Sequence, residues 1–160
     1  MSAVLGVIPA RLASERLPRK PLHLMAGRPL IEWVWRRVSS LPVLDRVVVA
    51  TDADEVVDVV RRFGGDVVLT SEEHRSGTDR VAEVAALPEF SGHDIVVNVQ
   101  GDEPFIANEQ VAGAVEMVRA GWDVGTVAAP VGTLGAFRDP SVVKVVRNDR
   151  GGALYFSRAP

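Results

Sequence analysis

Short valine-rich runs alternate with amphipathic stretches along most of this chain. Within each run the residues are continuously apolar, whereas a strand with one solvent-facing side would alternate apolar and polar residues. Continuous apolar runs of this length are typical of strands that are buried on both faces. We therefore predict strands at residues 3–9, 46–51, 66–70, 94–99 and 124–129.

The stretches between these strands carry helix signals, namely apolar residues spaced three or four apart and residues suited to helix ends. Four helices are predicted: one from Pro29, one capped by Asp52 or Asp54 and stopped at Gly64, one over 78–87, and one over about 107–120. After residue 140, the segment "VVKVVRNDRGGALYFSRAP" is expected to form two further strands around an Asn-Asp-Arg-Gly-Gly turn.

Strands that alternate with helices of this length indicate right-handed crossover connections. The expected fold is therefore an α/β fold with an open, mostly parallel sheet and helices on both faces. No repeat, linker or low-complexity tract divides the chain, so we expect a single domain over residues 1–160.

Composition narrows the class of protein. With 47% apolar and 24% charged residues the chain can build a real core, and its net charge of -3 argues against a nucleic-acid or membrane-surface protein. The absence of cysteine excludes disulfides and a thiol nucleophile, and the three histidines lack the spacing of metal ligands. No signal peptide or long apolar run is evident, so we expect a cytoplasmic protein.

A basic loop follows the first predicted strand. The stretch "IPARLASERLPRKPL" gathers Arg11, Arg16, Arg19 and Lys20 with Glu15 as its only acid, and it contains no glycine that could bring backbone amides to a phosphate. Cations that repel one another are stabilised by an anionic ligand, because charge-assisted hydrogen bonds to phosphate contribute about 1.5–3 kcal/mol each. A solvated basic loop is the alternative. We favour phosphate binding, because prolines make the loop stiff.

A carboxylate-bearing loop, "QGDEP", follows the predicted strand at 94–99. Ligands of open α/β sheets bind beyond the carboxyl ends of the strands, and Mg²⁺ at phosphate sites is commonly held by one or two carboxylates. Asp102 suits that role, and Gln100 and Glu103 beside it strengthen the case. The alternative is a turn carboxylate that binds nearby backbone amides.

A third loop, "HRSGTDR" at 74–80, leads into a predicted helix. Arg75 and Arg80 could hydrogen-bond a nucleobase or ribose, and Ser76 and Gly77 would allow a close approach of the backbone. From the residues alone, the better interpretation is a helix cap at Thr78 with a surface arginine.

Together these segments resemble the 3-deoxy-manno-octulosonate cytidylyltransferases, also called CMP-Kdo synthetases. The matching segments are "IPARLASERLPRKPL", "VVVATD", "HRSGTDR", "VNVQGDEP" and "VVKVVRNDRGGALYFSRAP". The resemblance implies a Rossmann-like sheet of the nucleotide-diphospho-sugar transferase type. It also implies Mg²⁺-dependent transfer of CMP from CTP to the acid sugar Kdo for lipopolysaccharide biosynthesis, and a homodimer.

The resemblance also implies roles for individual residues. Arg11, Arg16 and Lys20 would bind the triphosphate and stabilise charge on the leaving pyrophosphate, and Asp102 would ligate magnesium. The residues expected around the nucleotide, besides Arg11 and Lys20, are Ala10, Ser76, Thr78, Arg80 and Gln100. Those expected to face the sugar acid are Tyr155, Ser157 and Arg158.

Two departures from the family pattern leave alternatives open. The family usually has glycine at the position of Arg19, so the loop is expected either to close differently or to add a phosphate contact. The resemblance covers only about the first two-thirds of such an enzyme, so we expect a chain truncated at its C-terminus that binds nucleotide without full turnover. The alternatives are another sugar cytidylyltransferase, such as one acting on a sialic acid, and a non-catalytic nucleotide-binding fragment.

Overall fold

The computed structural model describes residues 2–12 and 17–160. The chain divides into two compact units, Met1–Gly125 and Thr126–Pro160, which are described separately. The predicted single domain stays a prediction.

The first unit follows the predicted alternation of strands and helices. In chain order its elements are β1 (Val4–Ala10), β2 (Leu24–Met25), β3 (Arg28–Pro29), α1 (Leu30–Ser39), β4 (Arg46–Thr51), α2 (Asp54–Arg62), β5 (Asp66–Leu69), α3 (Gly77–Ala85), β6 (Ile95–Asn98) and α4 (Asn108–Arg119). Single turns of 3-10 helix lie at Lys20–Leu22 and Pro88–Phe90. Among the described residues, four strands form one parallel sheet in the order β5-β4-β1-β6.

Strand β1 lies in the interior of this sheet, and all seven of its residues are buried. Its side chains alternate between two apolar layers. Val4 and Ile8 pack in the layer that includes residues of α1, α2 and α4, whereas Leu5 and Val7 pack in the layer that includes residues of α3. The predicted burial on both faces, with helices on each side, is confirmed for β1. It is wrong for the edge strands β5 and β6, in which Leu69 and Val96 are 55% and 37% exposed.

The helix boundaries agree with the predicted ones to within a few residues, but two predicted caps are wrong. Helix α2 has Ala53 at its N-cap without a side-chain cap, so neither Asp52 nor Asp54 fills that role. Helix α3 is capped by Ser76 and not by Thr78, which lies inside the helix. Gly64 and Gly121 follow α2 and α4 with φ of 82° and 97°, the left-handed conformation in which glycine commonly ends a helix.

The strand predicted at 124–129 is absent: this segment has no regular structure and pairs with no strand among the described residues. Val124 and Val127 are 79% and 55% exposed. An apolar run becomes a strand only where a neighbouring strand satisfies its backbone hydrogen bonds, and no such neighbour is found in the described ranges.

The second unit contains one short helix and a hairpin. Helix α5 (Leu134–Arg138) is capped by Thr133, whose hydroxyl oxygen accepts from the amide of Ala136 at 3.1 Å. Strands β7 (Lys144–Arg147) and β8 (Ala153–Ser157) pair antiparallel, with a register shift at Val146 and Arg147. The predicted pair of strands around the Asn-Asp-Arg-Gly-Gly turn is confirmed.

Across residues 2–12 and 17–160, no helix combines the length and the apolar character needed to cross a membrane.

Two glycines near helix α4 should respond oppositely to substitution by alanine. Gly113 lies inside α4, and no neighbouring atom lies within 4 Å of the position that a Cβ would take, so Gly113→Ala should stabilise the protein by about 0.5–1 kcal/mol. A Cβ at Gly125 would lie 2.1 Å from the carbonyl oxygen of Ala114, so Gly125→Ala should destabilise it by about 1–3 kcal/mol. Urea unfolding of both variants measures the difference, and an equal response would contradict the packing described for Gly125.

Candidate functional site

Three loops converge at the carboxyl end of β1. A Cβ placed on Gly101, in the loop after β6, would lie 2.8 Å from the carbonyl oxygen of Pro9, and one on Gly77, at the start of α3, would lie 3.2 Å from the Pro9 ring. Glycine is needed where backbones approach this closely. The basic loop after β1 therefore shares one edge of the sheet with the 74–80 and 100–103 loops.

Arg11 links the basic loop to the 74–80 loop, because its guanidinium donates a hydrogen bond to the carbonyl oxygen of Arg75. Arg75 itself is exposed, so its backbone takes part in this contact while its side chain faces outward. Arg16, the other arginine expected at the phosphates, lies outside the described residues.

Lys20 forms an ion pair with Asp102, and this pair joins the predicted phosphate-binding cation to the predicted metal ligand. The side chains are 33% and 47% exposed, so both groups remain accessible. The two residues lie 82 positions apart in sequence and meet only because β1 and β6 are parallel neighbours. The structure thus brings together two of the residues to which the sequence assigned chemistry.

Arg19 adopts φ of 57° and ψ of 30°, the left-handed conformation that favours glycine. A non-glycine residue in this region costs roughly 1–2 kcal/mol. The loop therefore keeps a backbone suited to the glycine of the resembled family, although an arginine occupies the position. The Arg19 guanidinium pairs with Glu55 on α2, so in this structure it contacts a carboxylate of the protein.

Ser76 organises the loop before α3 through a reciprocal capping box. Its hydroxyl oxygen accepts from the amide of Asp79 at 3.1 Å, and the Asp79 carboxylate accepts from the amide of Ser76 at 3.0 Å. The hydrogen bonds from the Ser76 hydroxyl and amide lower the pKa of Asp79 below its ordinary value of 3.8. The loop is therefore held in place at the edge of the sheet.

Arg80 is fully buried, whereas the residues alone predicted for this loop either a surface arginine or a contact to a base or ribose. Its guanidinium donates to the hydroxyl of Thr70 and, at 2.6 Å, to the carboxylate of Asp52, and its buried Nε has no hydrogen-bond partner in the described part of the chain. A surface position for Arg80 is therefore a wrong prediction. Its guanidinium ties the ends of β4 and β5 to α3, which fixes the geometry of the loop that begins at His74.

The remaining nucleotide-side candidates lie at the same edge. Ala10, the last residue of β1, is only 2% exposed as a whole residue, so it lies beneath the surface of this edge. Gln100 is exposed, and its amide nitrogen donates to the side-chain oxygen of Asn98 at 3.1 Å. Thr78 is also exposed, in the first turn of α3.

The residues present fit a magnesium ion that is shared with phosphate and do not form a site of their own. Within the described ranges, no group of three or more histidine and carboxylate side chains could hold a metal ion. Asp102 supplies one accessible carboxylate, an oxygen ligand of the type Mg²⁺ prefers. Phosphate oxygens and water would have to complete the octahedron, as is common for Mg²⁺ bound to nucleotides.

The candidates for sugar binding lie on and beside β8 in the second unit. Tyr155 is 57% exposed, the Ser157 hydroxyl accepts from the amide of Ala159 at 3.0 Å, and Arg158 donates to the carbonyl of Pro140 at 2.9 Å. The nearly buried Lys144 donates to the carbonyl of Arg158 at 2.6 Å and so holds the end of β8. Their role in sugar binding stays a prediction.

Comparison with known proteins agrees with this geometry. The family model described as "Cytidylyltransferase" matches residues 5–160. The chain belongs to the cytidylyltransferase family. A 3-deoxy-manno-octulosonate cytidylyltransferase of Gemmatimonas aurantiaca is 56% identical over 98% of this chain and 60% of its own length. One from Pseudomonas fluorescens is 47% identical over 99% of this chain and 63% of its own length.

A solved structure extends the likeness to three dimensions. The structure of CMP:2-keto-3-deoxy-manno-octonic acid synthetase complexed with CTP superposes with a TM-score of 0.86 at 40% identity, over 99% of this chain and 65% of that one. The predicted fold, a parallel α/β sheet of the nucleotide-diphospho-sugar transferase type, is confirmed. This cytidylyltransferase-family chain spans somewhat less than two-thirds of the length of these relatives.

Three ion pairs at the site of this cytidylyltransferase-family chain were not predicted from the sequence. Asp52 was considered only as a helix cap, whereas it pairs with Arg80; Glu55 pairs with Arg19; and Lys20 pairs with Asp102. Only Asp52 gave a usable signal, because it directly follows the strand run "VVVAT" at the edge where sites form.

The cap assignment can be tested by removing each hydroxyl in turn. Ser76→Ala should lower the free energy of unfolding by about 1 kcal/mol and raise the pKa of Asp79 towards 3.8, because the capping box is lost. Thr78→Ala should leave both quantities nearly unchanged. Denaturant unfolding and an NMR titration of the Asp79 carboxyl provide the two measurements, and a larger loss from Thr78→Ala would restore the original assignment.

Proposed function

We propose that this protein transfers CMP from CTP to the anomeric hydroxyl of Kdo, releasing pyrophosphate and forming CMP-Kdo. Support comes from the names of the relatives and from the likeness to a synthetase complexed with CTP. The single observation that carries the proposal is the meeting of Lys20 and Asp102 at the carboxyl edge of the sheet, the edge at which Arg11 also lies. Lipopolysaccharide biosynthesis as the pathway, a cytoplasmic location and a homodimer belong to the same proposal.

In the proposed reaction the anomeric oxygen of Kdo attacks the α-phosphorus of CTP. The bond from that phosphorus to the bridging oxygen breaks, pyrophosphate leaves with the bonding electrons, and the hydroxyl proton is lost to solvent or to a base. No covalent intermediate with the protein is required, so the site must position the reactants and stabilise charge. Arginines, a lysine and a carboxylate at one edge suit that task.

The cations would act on the triphosphate. Lys20 and Arg11 would donate charge-assisted hydrogen bonds to phosphate oxygens and stabilise the charge that develops on pyrophosphate. To do so, Arg11 must exchange its contact with the Arg75 carbonyl and Lys20 its contact with Asp102. Arg16 is proposed in the same role on the resemblance alone.

Asp102 would hold Mg²⁺ together with oxygens of the triphosphate. When bound, the ion would neutralise phosphate charge and favour departure of pyrophosphate. Asp102 is suited to this because it is accessible and lies in the loop that follows β6.

The cytidine would lie against the 74–80 loop and Gln100. Ser76 and Gln100 offer hydrogen-bonding groups, Thr78 lies exposed on the first turn of α3, and Ala10 is proposed near the nucleotide on the resemblance alone. Arg80 would act from within, by holding the loop through Thr70 and Asp52. Tyr155, Ser157 and Arg158, in the second unit, are proposed as sugar-binding residues on the resemblance alone.

Removing a phosphate-binding cation should weaken CTP binding. Lys20→Ala and Arg11→Ala should each reduce the affinity for CTP by about 1.5–3 kcal/mol, because each removes a charge-assisted contact. Arg36→Ala is a matched control, since Arg36 lies on α1 in an ion pair with Glu32 and outside the proposed site. Calorimetry with CTP and Mg²⁺ measures the change, and unchanged affinity in both site variants would remove the basic loop from the phosphate site.

Cytidine preference and transfer to Kdo test the function itself. CTP should bind more tightly than ATP, GTP or UTP, because hydrogen bonds to a base edge separate matching from mismatched bases. Pyrophosphate release by the protein with CTP should require Kdo, and it should stay well below full turnover, because the chain spans less than two-thirds of the length of its relatives. Release that depends equally on a sialic acid would favour another sugar cytidylyltransferase, and selective CTP binding without release would favour a nucleotide-binding module.

A further inference from the structure

Without a ligand, the cation proposed for phosphate and the carboxylate proposed for metal neutralise each other. Lys20 and Asp102 come from different loops, and the side chains are only partly exposed, at 33% and 47%. In this arrangement neither group is fully available to its own ligand. The ion pair involves only residues of this chain, so its presence does not depend on the transfer reaction.

We propose that Asp102 makes this site selective for a metal-complexed triphosphate over a free one. The Asp102 carboxylate keeps Lys20 in an ion pair until a metal ion binds to that carboxylate, and Lys20 then becomes free to bind phosphate. The proposal rests on the proposed function in taking Lys20 as a phosphate ligand and Asp102 as a metal ligand. It makes Asp102 a determinant of specificity in addition to a metal ligand.

A triphosphate without metal meets two obstacles at this pair. Lys20 must give up the ion pair before it can bind phosphate fully, and the carboxylate left behind then repels the incoming anion. For a partly exposed pair, each obstacle corresponds to a factor of up to about five in affinity. A divalent cation bridging Asp102 and the triphosphate removes both obstacles, so metal and phosphate should bind with positive and reciprocal coupling.

The chain offers a matched control beside this pair. Arg19, the neighbour of Lys20, is paired with Glu55 on α2, and the Glu55 side chain is 46% exposed, close to the 47% of Asp102. Asp102→Asn and Glu55→Gln therefore each remove one negative charge of similar exposure. The two carboxylates are the ion-pair partners of two cations that are adjacent in sequence. A general effect of net charge should appear equally in both variants.

Calorimetry with inorganic tripolyphosphate and with CTP, each with Mg²⁺ or with EDTA at constant ionic strength, tests the proposal. We expect Asp102→Asn to bind the metal-free anions about two- to fivefold more tightly than the unmodified protein and to lose most of the gain in affinity that Mg²⁺ provides. For Glu55→Gln, the ratio of the affinity with Mg²⁺ to the affinity with EDTA should equal that of the unmodified protein. The gain from Asp102→Asn should disappear when it is combined with Lys20→Met, because the lysine is then absent.

A second measurement follows the pair directly in the free protein. The sequence contains only two lysines, Lys20 and the nearly buried Lys144, so the ¹⁵N signals of the side-chain amines can be assigned with Lys20→Met. Asp102→Asn should shift the Lys20 signal, whereas Glu55→Gln should not. Melting temperatures close to that of the unmodified protein are expected for these exposed substitutions.

Several results would overturn the proposal: equal gains for Asp102→Asn and Glu55→Gln, a gain that persists without Lys20, or a Lys20 signal unmoved by Asp102→Asn. Failure of the proposed function gives a different result. In that case tripolyphosphate shows the metal selectivity described here, while CTP has no advantage over the other nucleotides. Absence of binding by any of these anions contradicts both proposals.

Discussion

The burial of strand β1 on both faces is the constraint on which the first unit depends. Its seven residues contribute to two apolar layers, so the strand cannot slip by one residue without exchanging the side chains of the two layers. The register with β4 and β6 is thereby set. Because all three strands are parallel, their carboxyl ends meet at one edge, and Pro9 becomes the point that the 74–80 and 100–103 loops approach.

Charge at this edge is balanced by pairs between distant segments. Lys20 pairs with Asp102, Arg19 with Glu55, and Arg80 with Asp52. The exposed pairs contribute little to stability, since pairs of that kind are worth about 0–1 kcal/mol. The buried Arg80 is different, because a buried cation is tolerated only where hydrogen bonds and a carboxylate compensate for the water it loses. The buried pair therefore holds the framework, whereas the two exposed pairs add little to its stability.

The loop before α3 shows why a plausible local assignment can be wrong. Ser76 and Thr78 are both suitable caps by residue type, and sequence alone did not separate them. The choice is decided by the aspartate three residues after Ser76, which completes a reciprocal box, and by Gly77, which permits contact with Pro9. A helix starting two residues later would leave the Asp79 carboxylate without these donors.

Much of the fold followed from the sequence, because periodicity and end signals are local properties. The Val-rich runs predicted β1, β4, β5 and β6, and the loops that follow two of these strands predicted the basic loop and Asp102 as candidate sites. The family likeness added roles for individual residues. The run at 124–129 is similarly apolar, yet it forms no strand in the described structure, because a strand also requires a partner that a local pattern does not contain.

The chemistry of individual residues was determined by the sequence, and their partners were decided by the tertiary structure. An arginine that is exposed by residue type became a fully buried link between two strand ends and a helix, and a lysine and an aspartate 82 residues apart became one ion pair. Composition fixes which groups are charged, whereas distance fixes which charges interact. Those distances exist only after β1 has been buried and its parallel neighbours have brought their loops to the same edge.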